Sequence, residues 1–335
     1  MTVFVALVTS VFPAAARSSL HRRLVLGFLA TLYACGAFAD ENFAAKYPVP
    51  KDHLRIVTWN LEVFNLRNKD PFHKGEPYGP RTATQLDKLA KRLLGFNAAI
   101  MALQEINDVA ALYGLQDRLN GGAKAGGPWK IFPPRSEKMQ QNALLYDDSK
   151  VDLVSAAFVS STPSAGQYPS ESGYRSPVTG IFTPKGNPNQ KFRIIGIHGS
   201  WQNATIRKQQ GRWLSAYVSD LLGKADEPKQ IILAGDMNGA PEKGQGIYDG
   251  VVSGGSMKYV PKRNGESTTV VGGLKLDSFY LSKSVVSMLT NWASFVIRND
   301  FYREAPEDFR KTCSDHFPVF IDYAYRSTLP TSSAK

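Results

Sequence analysis

The chain has 335 residues, 43% hydrophobic and 21% charged, with a formal net charge of +11. That is a globular composition, which excludes a disordered chain, and the positive surplus suits a polyanionic partner, either nucleic acid or an anionic surface. Cys35 and Cys313 are the two cysteines, too few for a disulfide scaffold, so a large apolar core has to hold the fold.

The first 39 residues carry Arg17, Arg22 and Arg23 and no acid, which leaves +8 for the remainder. Arg22-Arg23 precede an apolar run from Leu24 to Ala34, and Ala37-Phe38-Ala39 offers a small-x-small cleavage site before Asp40. An export signal over 1–39, cleaved after Ala39, is therefore expected, with a secreted or periplasmic product. The apolar run is short for a bilayer span, so no stable membrane anchor is expected. Leu32-Tyr33-Ala34-Cys35 offers a lipoprotein box as the alternative, with Tyr33 a poor fit.

From Leu54 onward, short apolar strands alternate with amphipathic helices. Strands are expected at Leu54–Trp59 and Ala98–Leu103, with a helix between them over Arg81–Phe96. Leu86, Leu89, Ala90, Leu93 and Leu94 would share one face of that helix. Asn107 offers a cap for a short helix ending at Asn120-Gly121-Gly122. Further strands are expected at Ala143–Tyr146, Val151–Val159, Val178–Thr183 and Phe192–His198. A second long helix over Thr205–Leu222 would bury Ile206, Trp213, Leu214, Tyr217 and Leu221 and stop at Gly223. Asn203-Ala204-Thr205 matches a glycosylation acceptor, but capping that helix is its simpler role. The last strands fall at Gln230–Ala234, Leu274–Leu281 and Phe317–Tyr323; Gly121–Gly127 and Gly239–Gly255 read as loops, and Ser327–Lys335 as a flexible tail. One α/β domain over 40–326, without repeats or linkers, accounts for the rest.

Six segments end apolar strands with groups able to bind metal or phosphate. They are Thr58-Trp59-Asn60-Leu61-Glu62, Leu103-Gln104-Glu105-Ile106, Ile197-His198-Gly199-Ser200, Gly235-Asp236-Met237-Asn238, Leu276-Asp277-Ser278-Phe279 and Ser314-Asp315-His316-Phe317-Pro318. Strand ends in α/β proteins converge on one rim, where ligands bind. Singly each segment has an ordinary reading as turn, cap or structural histidine. In this order, with Arg175-Ser176-Pro177 before His198, the set resembles the DNase I-like endonuclease/exonuclease/phosphatase superfamily from Asn60 to His316.

The resemblance implies a four-layered α/β sandwich, two packed mixed β-sheets flanked by helices, over about Ala44 to Tyr325. It implies a hard divalent cation, Mg²⁺ first and Mn²⁺ or Ca²⁺ as alternatives, with Glu105 as main ligand helped by Asn60 and Asp315. Asp236 and Asn238 would orient water and grip phosphate. His316 would act as general base or charge stabiliser, backed by Asp277, while His198 and Arg175 would contact the phosphate. Two departures stand out. The stretch Met139-Gln140-Gln141-Asn142 lacks the carboxylate that pairs with the histidine in the nuclease branch, so Gln140 is left to orient His198 without charge. Asn107 stands where DNase I carries a groove-binding Arg.

The expected function is a monomeric secreted nuclease acting on DNA or RNA. The first alternative is the same chemistry on a lipid headgroup or inositol phosphate, although no exposed aromatic hairpin for membranes is found in the sequence. The second is a non-catalytic binding protein on the same scaffold. Lys124, Lys130, Arg135 and Lys138 near Trp129 and Phe132 could bind a strand by charge and stacking; a solvated loop with two anchoring aromatics is the plainer reading. Pro261-Lys262-Arg263-Asn264 reads similarly, His53 and His73 lack metal partners at useful spacing, and Cys313 reads as packing.

Overall fold

The computed structural model describes residues 43–66, 80–122, 127–134, 140–170, 175–241, 247–263, 266–286, 288–289 and 293–325. The segments expected as export signal and tail, and His73, Lys124, Arg135, Lys138 and Asn264, lie outside the described residues. The chain divides into two compact units, Met1–Lys46 and Tyr47–Lys335. The described part of the first is helix α1, Phe43–Lys46.

The second unit holds two six-stranded sheets. The first contains β1 (His53–Phe64), β2 (Ile100–Ile106), β3 (Trp129–Phe132), β4 (Gln141–Asp147), β13 (Phe295–Val296) and β14 (Val319–Ala324), ordered β13-β14-β1-β2-β4-β3. The second contains β5 (Val151–Phe158), β8 (Val178–Pro184), β9 (Phe192–His198), β10 (Ile231–Asp236), β11 (Met257–Val260) and β12 (Asp277–Ser282), ordered β11-β12-β10-β9-β8-β5. A small ribbon pairs β6 (Ser161–Thr162) with β7 (Gly166–Gln167). Each large sheet is mixed, with one parallel pair at its heart: β1 with β2, and β9 with β10.

The period of two explains why the sheets stack. Ile194, Ile232, Ala234, Phe279 and Leu281 of the second sheet pack with Ile56, Ala102 and Leu144 of the first. Their neighbours Ile195, Ile197, Ile231, Leu233 and Tyr280 face the other way, onto Trp213, Leu214, Tyr217 and Leu221 of α4 (Ala204–Gly223). Helices α2 (Ala83–Gly95) and α3 (Val109–Leu119) bury Leu86, Leu89, Leu93, Leu112 and Leu115, and Trp59 stacks on Phe309 of α7 (Pro306–Thr312). Helix, sheet, sheet and helix give the expected four-layered α/β sandwich.

Local details differ from the sequence reading. Asp108, not Asn107, caps α3, because the Asn107 amide oxygen accepts the backbone N–H of Gln140 at 2.6 Å. Leu94 is exposed and Ile206 half-buried. The stretch expected as loop after Gly239 contains α5 (Ile247–Ser253), while a short α6 (Lys283–Val286) follows β12. Residues 274–276 are loop rather than strand: Thr268 and Thr269 hydroxyls accept the backbone N–H groups of Leu276, Asp277 and Leu274, capturing the strand's partners. Asn203 does cap α4, accepting from Thr205 and Ile206.

Candidate active site

Both parallel pairs end at one rim. In the first sheet Asn60 is level with Gln104, one residue before Glu105. In the second, His198 is level with Asp236, and Asp236 with Asp277. The Ser314–His316 segment is stapled to the end of β1. Ser314 Oγ donates to the Asn60 carbonyl at 2.6 Å and accepts from His316 N at 3.0 Å, and Trp59 Nε1 donates to the His316 carbonyl at 2.8 Å.

The side chains then interlock. Asn60 Nδ2 donates to Glu105 Oε1 and to Asp236 Oδ2, both at 3.0 Å, while its oxygen accepts from Glu62 N at 3.0 Å. Glu105 Oε2 accepts from Val63 N at 2.9 Å. His198 Nε2 lies 3.7 Å from Glu105 Oε1 and 3.6 Å from Asp236 Oδ2. His316 Nδ1 lies 2.7 Å from Asp277 Oδ2, and its Nε2 lies 3.8 Å from both Asp236 Oδ2 and Asp315 Oδ1. Asn238 donates its backbone N–H to Asp236 Oδ1 at 2.8 Å and its amide to the Gly199 carbonyl at 3.0 Å. Arg175 donates to the same carbonyl at 2.7 Å and to the Gln140 side chain. All nine residues singled out in the sequence therefore meet at this rim.

Burial and charge set the two histidines apart. Burial holds His198 well below the usual imidazole range, and the charges of Arg175 and His316 push the same way. Burial opposes charge on His316 too, but the carboxylates of Asp277, Asp315 and Asp236 outweigh it and hold that ring well above the usual range. Asp236 is pushed up to about 6, chiefly by burial and against the pull of His316.

The rim opens into a cleft of ≈ 500 Å³ lined by Glu105, Arg175, His198, Asp236, Asn238, Asp315 and His316. Glu62, Gln140, Trp201 and Arg310 line it too, and the sequence reading gave Glu62, Trp201 and Arg310 no role. Glu62 is buried, accepts two hydrogen bonds from Arg310 at 2.9 and 3.1 Å, and is pushed up to about 7 by burial and by Asp315. Backbone strain concentrates here. Among the nine described non-glycine residues with positive φ, Glu62, Val63, Glu105, Gln140, Arg175 and Asn238 line the cleft. Each left-handed residue costs on the order of 1–3 kcal/mol, a strain that clusters at working sites.

The donor chemistry separates two acidic groups. Asp236, Asp277 and His316 offer ligand atoms within 4.8 Å of one another, but Asp277 is committed to the His316 ring and that ring favours its proton. Glu105 and Asp315 instead turn partly exposed carboxylates to the cleft and fit a hard cation. The resemblance made Asn60 a ligand. Its oxygen accepts from Glu62 N and its amide holds Glu105, so it also keeps that carboxylate in place.

Of the remaining expectations, one needs correction. The Gln140 amide holds Arg175 rather than the His198 ring, whose Nδ1 completes no hydrogen bond of normal geometry although the Gln140 backbone acts on it. Trp129 is buried and Phe132 stacks on Phe158, so both aromatics anchor the core; Lys130 lies 3.6 Å from Asp148. Lys262 is buried and donates to Ser278 Oγ at 3.0 Å, while Arg263 is exposed and lies over Phe295.

Three solved structures are similar across nearly their whole length. An endonuclease/exonuclease/phosphatase from Bacteroides vulgatus shares 14% identity at TM-score 0.59, covering 82% of this chain and 100% of that one. D. rerio TDP2, complexed with a single-strand DNA product, shares 15% at 0.55, covering 82% and 99%. A mannosyl-6-phosphatase of Bacteroides thetaiotaomicron shares 17% at 0.53, covering 81% and 99%. No curated protein sequence matches the chain. The model of the Endonuclease/Exonuclease/phosphatase family matches residues 57–325, the stretch that carries both sheets and the rim, and the chain belongs to that family.

Proposed function

We propose that the chain is a metal-dependent phosphodiesterase that cuts nucleic acid outside the cytoplasm. The observation that carries the reading is the meeting of Glu105, Asp236 and Asp315 with Arg175 and two histidines, His198 and His316, whose surroundings shift their pKa values in opposite directions, at one rim. Glu105 and Asp315 would hold the cation, with Mg²⁺ the first choice, and Asn60 keeps Glu105 in place. When bound, such an ion supplies Lewis-acid stabilisation of a phosphoryl oxygen.

The residues divide the remaining work. Asp236, poised near 6 and fixed by Asn60 and Asn238, is ionised at neutral pH yet basic enough to take a proton from the attacking water. The His316 imidazolium, held by Asp277, offers Nε2–H to the oxygen on which charge accumulates. His198 stays neutral and steadies the phosphate from the other side. Arg175, braced by Gln140 and Gly199, clamps it.

Nucleic acid is the favoured substrate because the chain beyond residue 39 carries +8 of the net +11 and two arginines, Arg175 and Arg310, border the cleft. Similarity to TDP2 with a bound DNA product supports it. Similarity to a sugar-phosphate phosphatase supports a second reading, the same chemistry on a small phosphate ester. Export over 1–39 belongs to the proposal through Arg22-Arg23, the apolar run and Ala37-Phe38-Ala39.

One panel tests the reading: plasmid DNA, RNA, sphingomyelin, inositol phosphates and mannose 6-phosphate, each with Mg²⁺ and with chelator. Hydrolysis of DNA or RNA with Mg²⁺, lost in EDTA while the far-ultraviolet circular dichroism stays unchanged, is expected. Activity on the small phosphates alone would move the assignment to the second reading, and full activity in EDTA would remove the metal.

A further inference from the structure

Trp201 is 58% exposed, on the segment that follows the His198 strand end, and it lines the same cleft as the phosphate-handling residues. Its backbone is fixed to an unusual degree for an exposed loop. The Gly199 carbonyl accepts from Arg175 and Asn238, Ser200 N donates to Gln210 Oε1 at 2.9 Å, and Arg207 donates to the carbonyls of Ser200 and Trp201 at 2.8 and 2.7 Å. The fold thus pins the backbone that carries a large ring and leaves the ring largely exposed, which contributes little to stability and offers a contact surface.

A second pinned loop borders the cleft. Val271 and Leu274 are 62% and 49% exposed, yet the loop bearing them is tied to the catalytic segment. Val270 N donates to the Asp315 carbonyl and Phe317 N to the Thr268 carbonyl, both at 2.7 Å. Glycines in the left-handed region, Gly272 and Gly273, turn the loop between the two apolar side chains.

We propose that Trp201 is the stacking platform for the nucleobase next to the phosphate being cut, with Val271 and Leu274 as the apolar border on the other loop. This rests on the nuclease reading above and deepens it, because it assigns a single-stranded or frayed substrate whose base is free to leave its stack. A planar ring with polar edges matches the cleft, which Trp201 lines together with Asn238, Thr269 and Arg310. A lipid chain matches it poorly. Glu62, Asp315 and Arg310 in the same cleft would meet hydrocarbon.

The test uses the full chain with Mg²⁺ and short single-stranded oligonucleotides, intact or carrying one abasic unit beside the cleavage position. Base–aromatic stacking of this kind translates into roughly a 5- to 150-fold change in binding. Trp201→Ala should raise KM on the intact strand within that range with kcat nearly unchanged, and Trp201→Phe should keep most of the affinity. Removing the base should weaken the native enzyme as much, and should do nothing further to Trp201→Ala. In EDTA, an oligonucleotide should protect one indole from acrylamide quenching in the native chain and none in Trp201→Phe.

Equal losses from base removal in the native enzyme and Trp201→Ala would overturn the platform while leaving the nuclease reading intact. So would loss of binding to sphingomyelin vesicles, but not to oligonucleotides, on Trp201→Ala. If the native chain cuts no nucleic acid at all, the nuclease reading falls and takes the platform with it.

Discussion

His316 shows how a buried side chain acquires a role from its neighbours. Burial alone would discharge the ring, and the surrounding carboxylates, Asp277 at 2.7 Å foremost, reverse the outcome. The proton that His316 holds at neutral pH is therefore Asp277's doing. His316→Ala should lower kcat by about 100-fold or more, as for loss of a proton-handling group. Asp277→Asn keeps the shape and removes the charge, so the His316 pKa should fall. Activity that needs the imidazolium should then disappear at lower pH on the alkaline side of the profile. A pH–rate profile with an unmoved alkaline limb would show that the ring works neutral. The pairing of Asp277 with His316 was legible in the sequence because the motif order carries it. Glu62, Arg310 and Trp201 were not. Glu62 and Arg310 are 248 residues apart and meet through a tertiary contact, and an exposed Trp leaves no periodic signal.

Helices and strands were legible wherever a periodic apolar face met a cap. The Thr82 capping box and the Asn203 cap fix the starts of α2 and α4 to within two residues of the expected positions. Helix α5 was hidden because Gly250, Gly254 and Gly255 look like loop chemistry. The structure gives Gly250 another purpose: a Cβ there would sit 2.3 Å from the Gly211 carbonyl carbon of α4, and one on Gly211 would sit 2.5 Å from the Ile247 carbonyl oxygen. The two helices touch backbone to backbone at these glycines. Gly→Ala inside a helix ordinarily gains up to about 1 kcal/mol from propensity. Overpacking against backbone costs about 1–3 kcal/mol, so the sign reverses. Gly250→Ala and Gly211→Ala should each lower the urea midpoint, whereas Gly223→Ala, with nothing within 4 Å of its Cβ, should leave it level or raise it. Equal behaviour of all three would refute the close approach.

Across the whole molecule, the two-sheet architecture was legible through family resemblance rather than periodicity. Strand order depends on pairings such as Leu54 with Tyr323, which join the beginning of the domain to its end. Buried tyrosines and net charge give two further expectations at this scale. Burial raises the phenols of Tyr168 and Tyr323 above their ordinary value near 10. The folded state therefore keeps protons that the unfolded state has released, and stability should be steady below about pH 10 and fall as pH rises beyond it. Urea midpoints that do not drop between pH 9 and 12, or phenolate absorbance appearing before unfolding, would contradict this. Charge makes the remaining claim. A nucleic acid lying across several phosphate contacts displaces condensed counterions, so log affinity should fall with log salt at about 0.9 per phosphate neutralised on duplex and about 0.7 on single strands. Between about 50 and 200 mM salt, several contacts weaken binding by orders of magnitude, whereas a small phosphate ester touching one or two groups responds weakly. Arg175 and Arg310 supply cations at the cleft itself, and the wider surplus of the chain extends the field beyond it. Replacing Arg175 by Ala should reduce turnover as well as affinity, because its guanidinium is braced at the cleft by Gly199 and Gln140. Replacing Lys130, half-exposed and away from the rim residues, should lower the salt slope by no more than one contact and leave kcat unchanged. A KM on DNA that ignores salt over this range would place the chain with the small-ester phosphatases of its family, with the same carboxylates and histidines at the rim.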